Sequence, residues 1–171
     1  MERAVMTLLV VAFFLLCAAA MWLGWRRKAA AQRATYPDFP SVPDDLGEPD
    51  AAMTGLYVAT TTAGRWQDRI VAHGVGMRGP ATLRRHPAGV MVARDGARDL
   101  FIPAAAIRHV TTARGMAGKV MGTEGLLVIT WRHGDTEVDT GFRGDDQGAY
   151  QDWIAALRPA TEHTTDKGET Q

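Results

Sequence analysis

The chain opens on an unbroken apolar run: from Ala4 to Trp25 it reads AVMTLLVVAFFLLCAAAMWLGW, with no charge, no proline and one glycine. As a helix these 22 residues extend about 33 Å, enough to cross a hydrocarbon core of about 30 Å. Trp22 and Trp25 fall at its C-terminal edge, where an indole suits the headgroup boundary, and Arg26, Arg27 and Lys28 follow at once. The pattern predicts a transmembrane helix over residues 4–25 behind a short tip, 1–3. A cleaved secretory leader fits less well, because the apolar run continues past Ala18-Ala19-Ala20 and strong positive charge follows it. Lipid attachment at Cys17 is disfavoured by the bulky Phe14-Leu15-Leu16 in front of it.

Apolar continuity then gives way to a stretch with no periodicity. Residues 26–52 form a basic juxtamembrane segment followed by an acidic one carrying Pro37, Pro40, Pro43 and Pro49. Proline stops the helix and like charges extend the chain, so the stretch from Tyr36 is expected to be a semi-rigid spacer that holds the following domain off the surface.

From about Met53 to Arg158 the period becomes two. Strands are expected at 56–62, 69–73, 81–85, 89–94, 99–102, 107–113, 125–131 and 136–142. Asp95-Gly96 and His133-Gly134-Asp135 serve as hairpin connections, and Leu126–Trp131 is apolar enough for a central strand. Arg84 and Arg85, as strand neighbours, should point to opposite faces. The last element changes period again: Tyr150, Trp153, Ile154 and Leu157 share one helical face, with Asp145 or Asp146 able to cap a helix over 145–158. Trp66, Trp131 and Trp153 are expected to fill the core. The tail, 159–171, is polar and non-periodic and reads as disordered.

This order of elements predicts a mainly β (α+β) fold: a small barrel or split β-sandwich of about seven antiparallel strands capped by a C-terminal α-helix. Together with the anchor, the runs GLYVATT from Gly55, FIPAAAI from Phe101, RGMAGKV from Arg114, GLLVITW from Gly125 and DTGF from Asp139 resemble a known family. It is that of the actinobacterial single-pass membrane proteins with a pleckstrin-homology-like (PH-like) domain. Members are often labelled export or transporter proteins, and some lie beside pyrimidine-biosynthesis genes. The resemblance implies a PH-like domain over 53–158. A transporter role sits poorly with a single span that carries no charge, since a pathway needs several helices or an oligomer to line it.

Charge alters the picture only when it is divided by segment. The whole chain of 171 residues is neutral, with 19 basic and 19 acidic side chains. Residues 1–35 hold five basic against one acidic, 36–52 five acidic and none basic, and 53–158 thirteen basic against ten acidic. With Arg26, Arg27, Lys28 and Arg33 following the span and only Arg3 and the α-amino group before it, the domain should be cytoplasmic and the helix in the plasma membrane. Trp22, Trp25 and these four cations are the expected membrane-surface contacts, and lipids should be met through residues 4–28. The cations either act as a topology signal alone or also hold anionic lipid, at up to about 1 kcal/mol each. The domain's small excess of positive charge and the absence of alternating basic and aromatic residues speak against nucleic acid.

Candidate chemistry is sparse. Arg114-Gly115-Met116-Ala117-Gly118-Lys119 places two glycines between two cations, so its amides and charges could meet a phosphate or lipid headgroup, with Arg78 as a further contact; a solvated loop is the alternative. The Walker pattern is missing, because Val120 follows Lys119. His73, His86, His109, His133 and His163 stand singly, and one cysteine cannot build a disulfide or a cysteine zinc site. Asp135, Glu137 and Asp139 alternate on one strand face and read as a solvent-facing row. No cofactor, no metal and no catalysis are expected. The predicted role is a non-catalytic interaction module that recruits a membrane or cytoplasmic protein partner. Anionic-headgroup binding through the Arg114–Lys119 loop and service as an accessory transport subunit are the alternatives, and any small-molecule ligand is left open.

Overall fold

The computed structural model describes residues 2–113, 115–116, 119–120 and 125–158. One helix, α1 (Glu2–Thr35), carries the apolar run and is long and apolar enough to cross a membrane. It continues ten residues past Trp25, roughly 15 Å of helix. It ends just before Tyr36-Pro37, since a residue preceding proline resists the α conformation.

Nine strands follow among the described residues: β1 (Ala51–Thr62), β2 (Gly79–His86), β3 (Gly89–Arg94), β4 (Leu100–Pro103), β5 (Ile107–Ala113), the short pair β6 (Gly115–Met116) and β7 (Lys119–Val120), β8 (Leu126–His133) and β9 (Thr136–Gly144). Helix α2 (Tyr150–Leu157) completes the fold. Seven of the strands make one antiparallel sheet in the order β4-β3-β2-β1-β9-β8-β5. β4 and β5 lie at its two edges, so the sheet is not a closed barrel. It turns at β1, which pairs with β2 on one side and β9 on the other and carries a bulge between Tyr57 and Ala59. Leu83, Val90 and Ile102 of one half meet Leu127, Ile129, Trp131 and Phe142 of the other in one core, and α2 adds Tyr150, Trp153 and Leu157. The expected split β-sandwich with its C-terminal helix is thus the architecture.

Four local expectations change. Residues 69–73 make no strand: they form an isolated bridge, Thr61 to Arg69, followed by a single 3-10 turn, Ala72–Gly74. α2 starts at Tyr150 instead of Asp145, because the Asp146 carboxylate accepts from Gly148 N–H in a local turn before the helix begins. Trp66 is not core; it is 44% exposed on the β1–β2 connection. The spacer, finally, is not free at its start. Tyr36 is buried in the main core and Phe39 packs against it, so the packed unit begins well before Met53.

Candidate interaction site

A chain of hydroxyl groups crosses the inner face of the sheet and fixes the loop on which the C-terminal end of α1 docks. The Trp131 indole N–H donates to Thr140 Oγ1 (2.9 Å), Thr140 is 3.1 Å from Thr60 Oγ1, and Thr60 is 2.8 Å from the Tyr57 hydroxyl. Tyr57 donates in turn to the Val75 carbonyl at 2.5 Å. Read in that direction, each hydroxyl accepts one bond and donates one, so a buried polar row is fully satisfied. Burial pushes the Tyr57 phenol up to about 12, opposed by the Thr60 hydrogen bond and the Arg94 and Arg69 charges, which keeps it a donor. Arg94, itself buried, lies 5.0 Å over the Tyr57 ring and donates to the Gly74 carbonyl (2.9 Å) and the Arg98 carbonyl. Val75 and Gly74, just past Ala72, are thereby held from below and from the β3–β4 turn.

Onto this braced connection the C-terminal end of α1 is fastened. Gln32 Oε1 accepts from Val71 N–H (2.7 Å) and Ala72 N–H (3.3 Å), while its Nε2 donates to the Arg69 carbonyl (3.1 Å). Ile70 N–H donates to the Thr60 carbonyl of β1 (3.0 Å), and on the far side of the segment the Gln32 side-chain amide serves where a second strand would. Lys28 lies 3.9 Å from Asp68, and Tyr36 shares its hydroxyl with Thr62 Oγ1 at 2.7 Å.

Two histidines clasp the residues that follow. His73 places Nε2 3.0 Å from the Tyr36 carbonyl and Nδ1 2.7 Å from Asp38; it is the only non-glycine with positive φ (54°) among the described residues. His133 places Nε2 2.9 Å from the Pro37 carbonyl, and Phe39 stacks flat on its ring with centroids 4.2 Å apart. Burial lowers the His133 pKa, against the opposing effect of the Pro37 hydrogen bond and with a smaller contribution from His73. Gly134, at φ +59°, lies directly under Pro37, where a Cβ would come within 3.1 Å of its ring.

At the opposite end of β1–β3 from this junction lies a groove of about 290 Å³. Asp50, Arg85 and His86 line it on the sheet side, Ile107 at the start of β5, and Ala156 and Leu157 on α2. Arg85 reaches the Trp153 ring (6.0 Å to its centroid) from the inner face, whereas Arg84 is exposed, as their strand positions require. His86 is 6% exposed, and neither of its ring nitrogens has a hydrogen-bond partner.

Of the residues singled out from sequence, Trp22 and Trp25 are exposed on α1, with Arg26 4.7 Å over the Trp22 ring, and Arg27, Lys28 and Arg33 are exposed beyond them. Arg78 is exposed just before β2. Arg114 and Gly118 lie outside the described residues; Gly115 and Lys119 belong to β6 and β7, whose pairing sets Gly115 opposite Val120 and Met116 opposite Lys119. Among the described residues no three His, Cys, Asp or Glu side chains gather as a metal site would require. Gln32, Tyr36, Phe39, His73 and His133 were not foreseen. The one available signal was two aromatic residues, Tyr36 and Phe39, in an otherwise polar proline-rich stretch.

Residues 36–158 match the family described as Bacterial PH domain-like. The chain belongs to it. The match begins at Tyr36, the residue at which packing against the sheet begins, so the family unit includes the clasped segment. PH-like domains are associated with protein and lipid interaction and are typically not catalytic. Among curated proteins none matches the chain.

Proposed function

We propose that this PH-like protein is a single-pass, membrane-anchored interaction module, non-catalytic, whose domain lies on the cytoplasmic side of the plasma membrane and recruits a protein partner there. The anchor side is supported by the junction: a helix of membrane-spanning length is tied to the domain by Gln32, Tyr36 and the two histidines, which presents the domain in one attitude. The partner side rests on a single observation, the groove between the β2–β3 turn and α2. It lies at the other end of β1–β3 from the docked end of α1, and its wall holds a buried imidazole with both nitrogens unmatched. A buried polar group without a partner costs about 1–3 kcal/mol, which a donor or acceptor from an inserted peptide segment would recover.

The test is purification of the intact tagged protein from its native membranes in mild detergent, beside an Ala156→Trp variant that fills the groove from α2. A protein retained in stoichiometric amount by the natural chain and lost with Ala156→Trp, at unchanged thermal stability, supports the reading. Equal retention by both, or by neither, overturns it.

A further inference from the structure

The two imidazoles that hold the segment after α1 make unlike demands on their protons. His73 faces two acceptors: Nε2 lies 3.0 Å from the Tyr36 carbonyl and Nδ1 2.7 Å from the Asp38 carboxylate. A neutral imidazole carries one N–H, so both contacts are hydrogen bonds only when the ring holds two protons. His133 faces one acceptor, the Pro37 carbonyl, 2.9 Å from its Nε2, and a neutral ring can donate to it. The clasp is thus complete with His73 charged, His133 neutral and Asp38 as the counterion.

A second charge has no partner there. Phe39 stacks flat on His133 with centroids 4.2 Å apart and meets His73 edge-on at 6.0 Å, while Trp131 lies 5.4 Å from the His133 ring. Of the charged groups on the elements around His133, Asp38 is taken by His73 and Lys28 of α1 pairs with Asp68. Arg132 donates to the Gly134 carbonyl, and neither Asp135 nor Glu137 of the β8–β9 hairpin pairs with the ring. A proton added to His133 keeps the Pro37 bond, yet it creates a half-buried imidazolium with no carboxylate partner among the described residues. Burial, helped by the His73 charge, lowers the His133 pKa against the opposing effect of the Pro37 bond. His73 is fixed in place: it is left-handed (φ 54°), and Arg94 holds the Gly74 carbonyl after it at 2.9 Å. The part able to give way is the segment itself, where Pro37 and Asp38 are exposed and lead into the proline-rich spacer.

We propose that residues Pro37 to Phe39 form a proton-operated latch, closed on the sheet while His133 is neutral and released when His133 takes up a proton. The open state binds that proton more tightly than the closed one, so falling pH favours the open state. Release uncovers Trp131, against which Phe39 packs, while Gln32 and the Tyr36 hydroxyl still hold the end of α1. The latch goes beyond the recruitment of a partner and does not depend on it.

Imidazole nitrogen NMR and pulsed spin-label distances on the full chain in detergent micelles test this together. The protein, carrying Cys17→Ser, bears nitroxides at Ser41→Cys and Arg84→Cys, and a second sample bears them at Arg84→Cys and Gln147→Cys to report on the domain itself. At pH 7.5 His73 should show both nitrogens protonated, His133 a proton on Nε2 alone, and the Ser41–Arg84 pair one narrow distance. As the pH is lowered until His133 is doubly protonated, that distribution should broaden reversibly while the Arg84–Gln147 distribution stays narrow. In His133→Gln, which keeps a donor for the Pro37 carbonyl and does not titrate, the Ser41–Arg84 distance should stay narrow over the same range. A narrow Ser41–Arg84 distribution with His133 doubly protonated overturns the latch, as does equal broadening in His133→Gln. Broadening of both pairs together is unfolding of the whole domain and overturns it too. A singly protonated His73 at pH 7.5 removes the charge assignment on which the latch rests.

Discussion

Single hydroxyl groups inside this sandwich carry a structural duty that reaches its surface. Tyr57 ends the polar row and fixes the Val75 carbonyl, so removing its oxygen leaves both that carbonyl and Thr60 short of a partner. Tyr57→Phe should cost about 1–3 kcal/mol in urea unfolding, while Thr112→Ser, away from the row, should cost less. His133 offers a second test. Its pKa in the folded protein lies below the ordinary value of 6.5, so the unfolded chain binds more protons as pH falls past about 6.5. The stability that neutral His133 contributes is complete above that pH and is lost on acidification toward its folded-state pKa. The thermal midpoint should therefore fall between pH 7.5 and 5.5, and fall less in His133→Gln, which calorimetry at the two pH values would show.

The elements are joined by side chains where a sheet would use backbone. Residues 69–73 touch β1 through one bridge, yet the Val71 and Ala72 amides and the Arg69 carbonyl are met by the Gln32 side chain from α1, so a helix supplies the second neighbour a strand would need. Gln32→Ala removes three hydrogen bonds at the joint without touching the core. The distance distribution between spin labels on α1 and β2 should broaden markedly, with the domain's unfolding midpoint little changed. An unchanged distribution would mean that Tyr36 and the histidine clasp hold the joint alone.

Taken entire, the protein is a sandwich whose first core side chains precede its first strand. A fragment beginning at Tyr36 keeps Tyr36 and Phe39 on the sheet, and one beginning at Met53 lacks both. Each such aromatic side chain contributes about 1.5–3 kcal/mol through burial. The shorter fragment should accordingly unfold at a clearly lower temperature than the longer one, by differential scanning calorimetry. The same packing, with the Gln32 bonds, makes the direction in which α1 leaves the domain a property of the domain.

Patterns that depend on near neighbours were legible along the chain. The apolar run of α1, the alternation in β3 and β9, the continuous apolar run of β8, the placement of Arg84 and Arg85 on opposite faces and the Tyr150-Trp153-Leu157 stripe of α2 follow from local periodicity and burial, and with them the sandwich and its capping helix. Trp66 and the 69–73 segment were misjudged for one reason: an apolar or indole side chain signals that it needs cover, not which surface supplies it. Tyr36 and Phe39 were placed in a spacer because proline and charge set the chain's local stiffness, while their docking depends on His73 and His133, which are distant in sequence. The order of amino acids determined the elements and their inward faces, since those are governed by contacts within a few residues. Only the folded structure brought Gln32 to Arg69, Phe39 to His133 and His86 into a groove, because each of those meetings is made by the closing of the sheet.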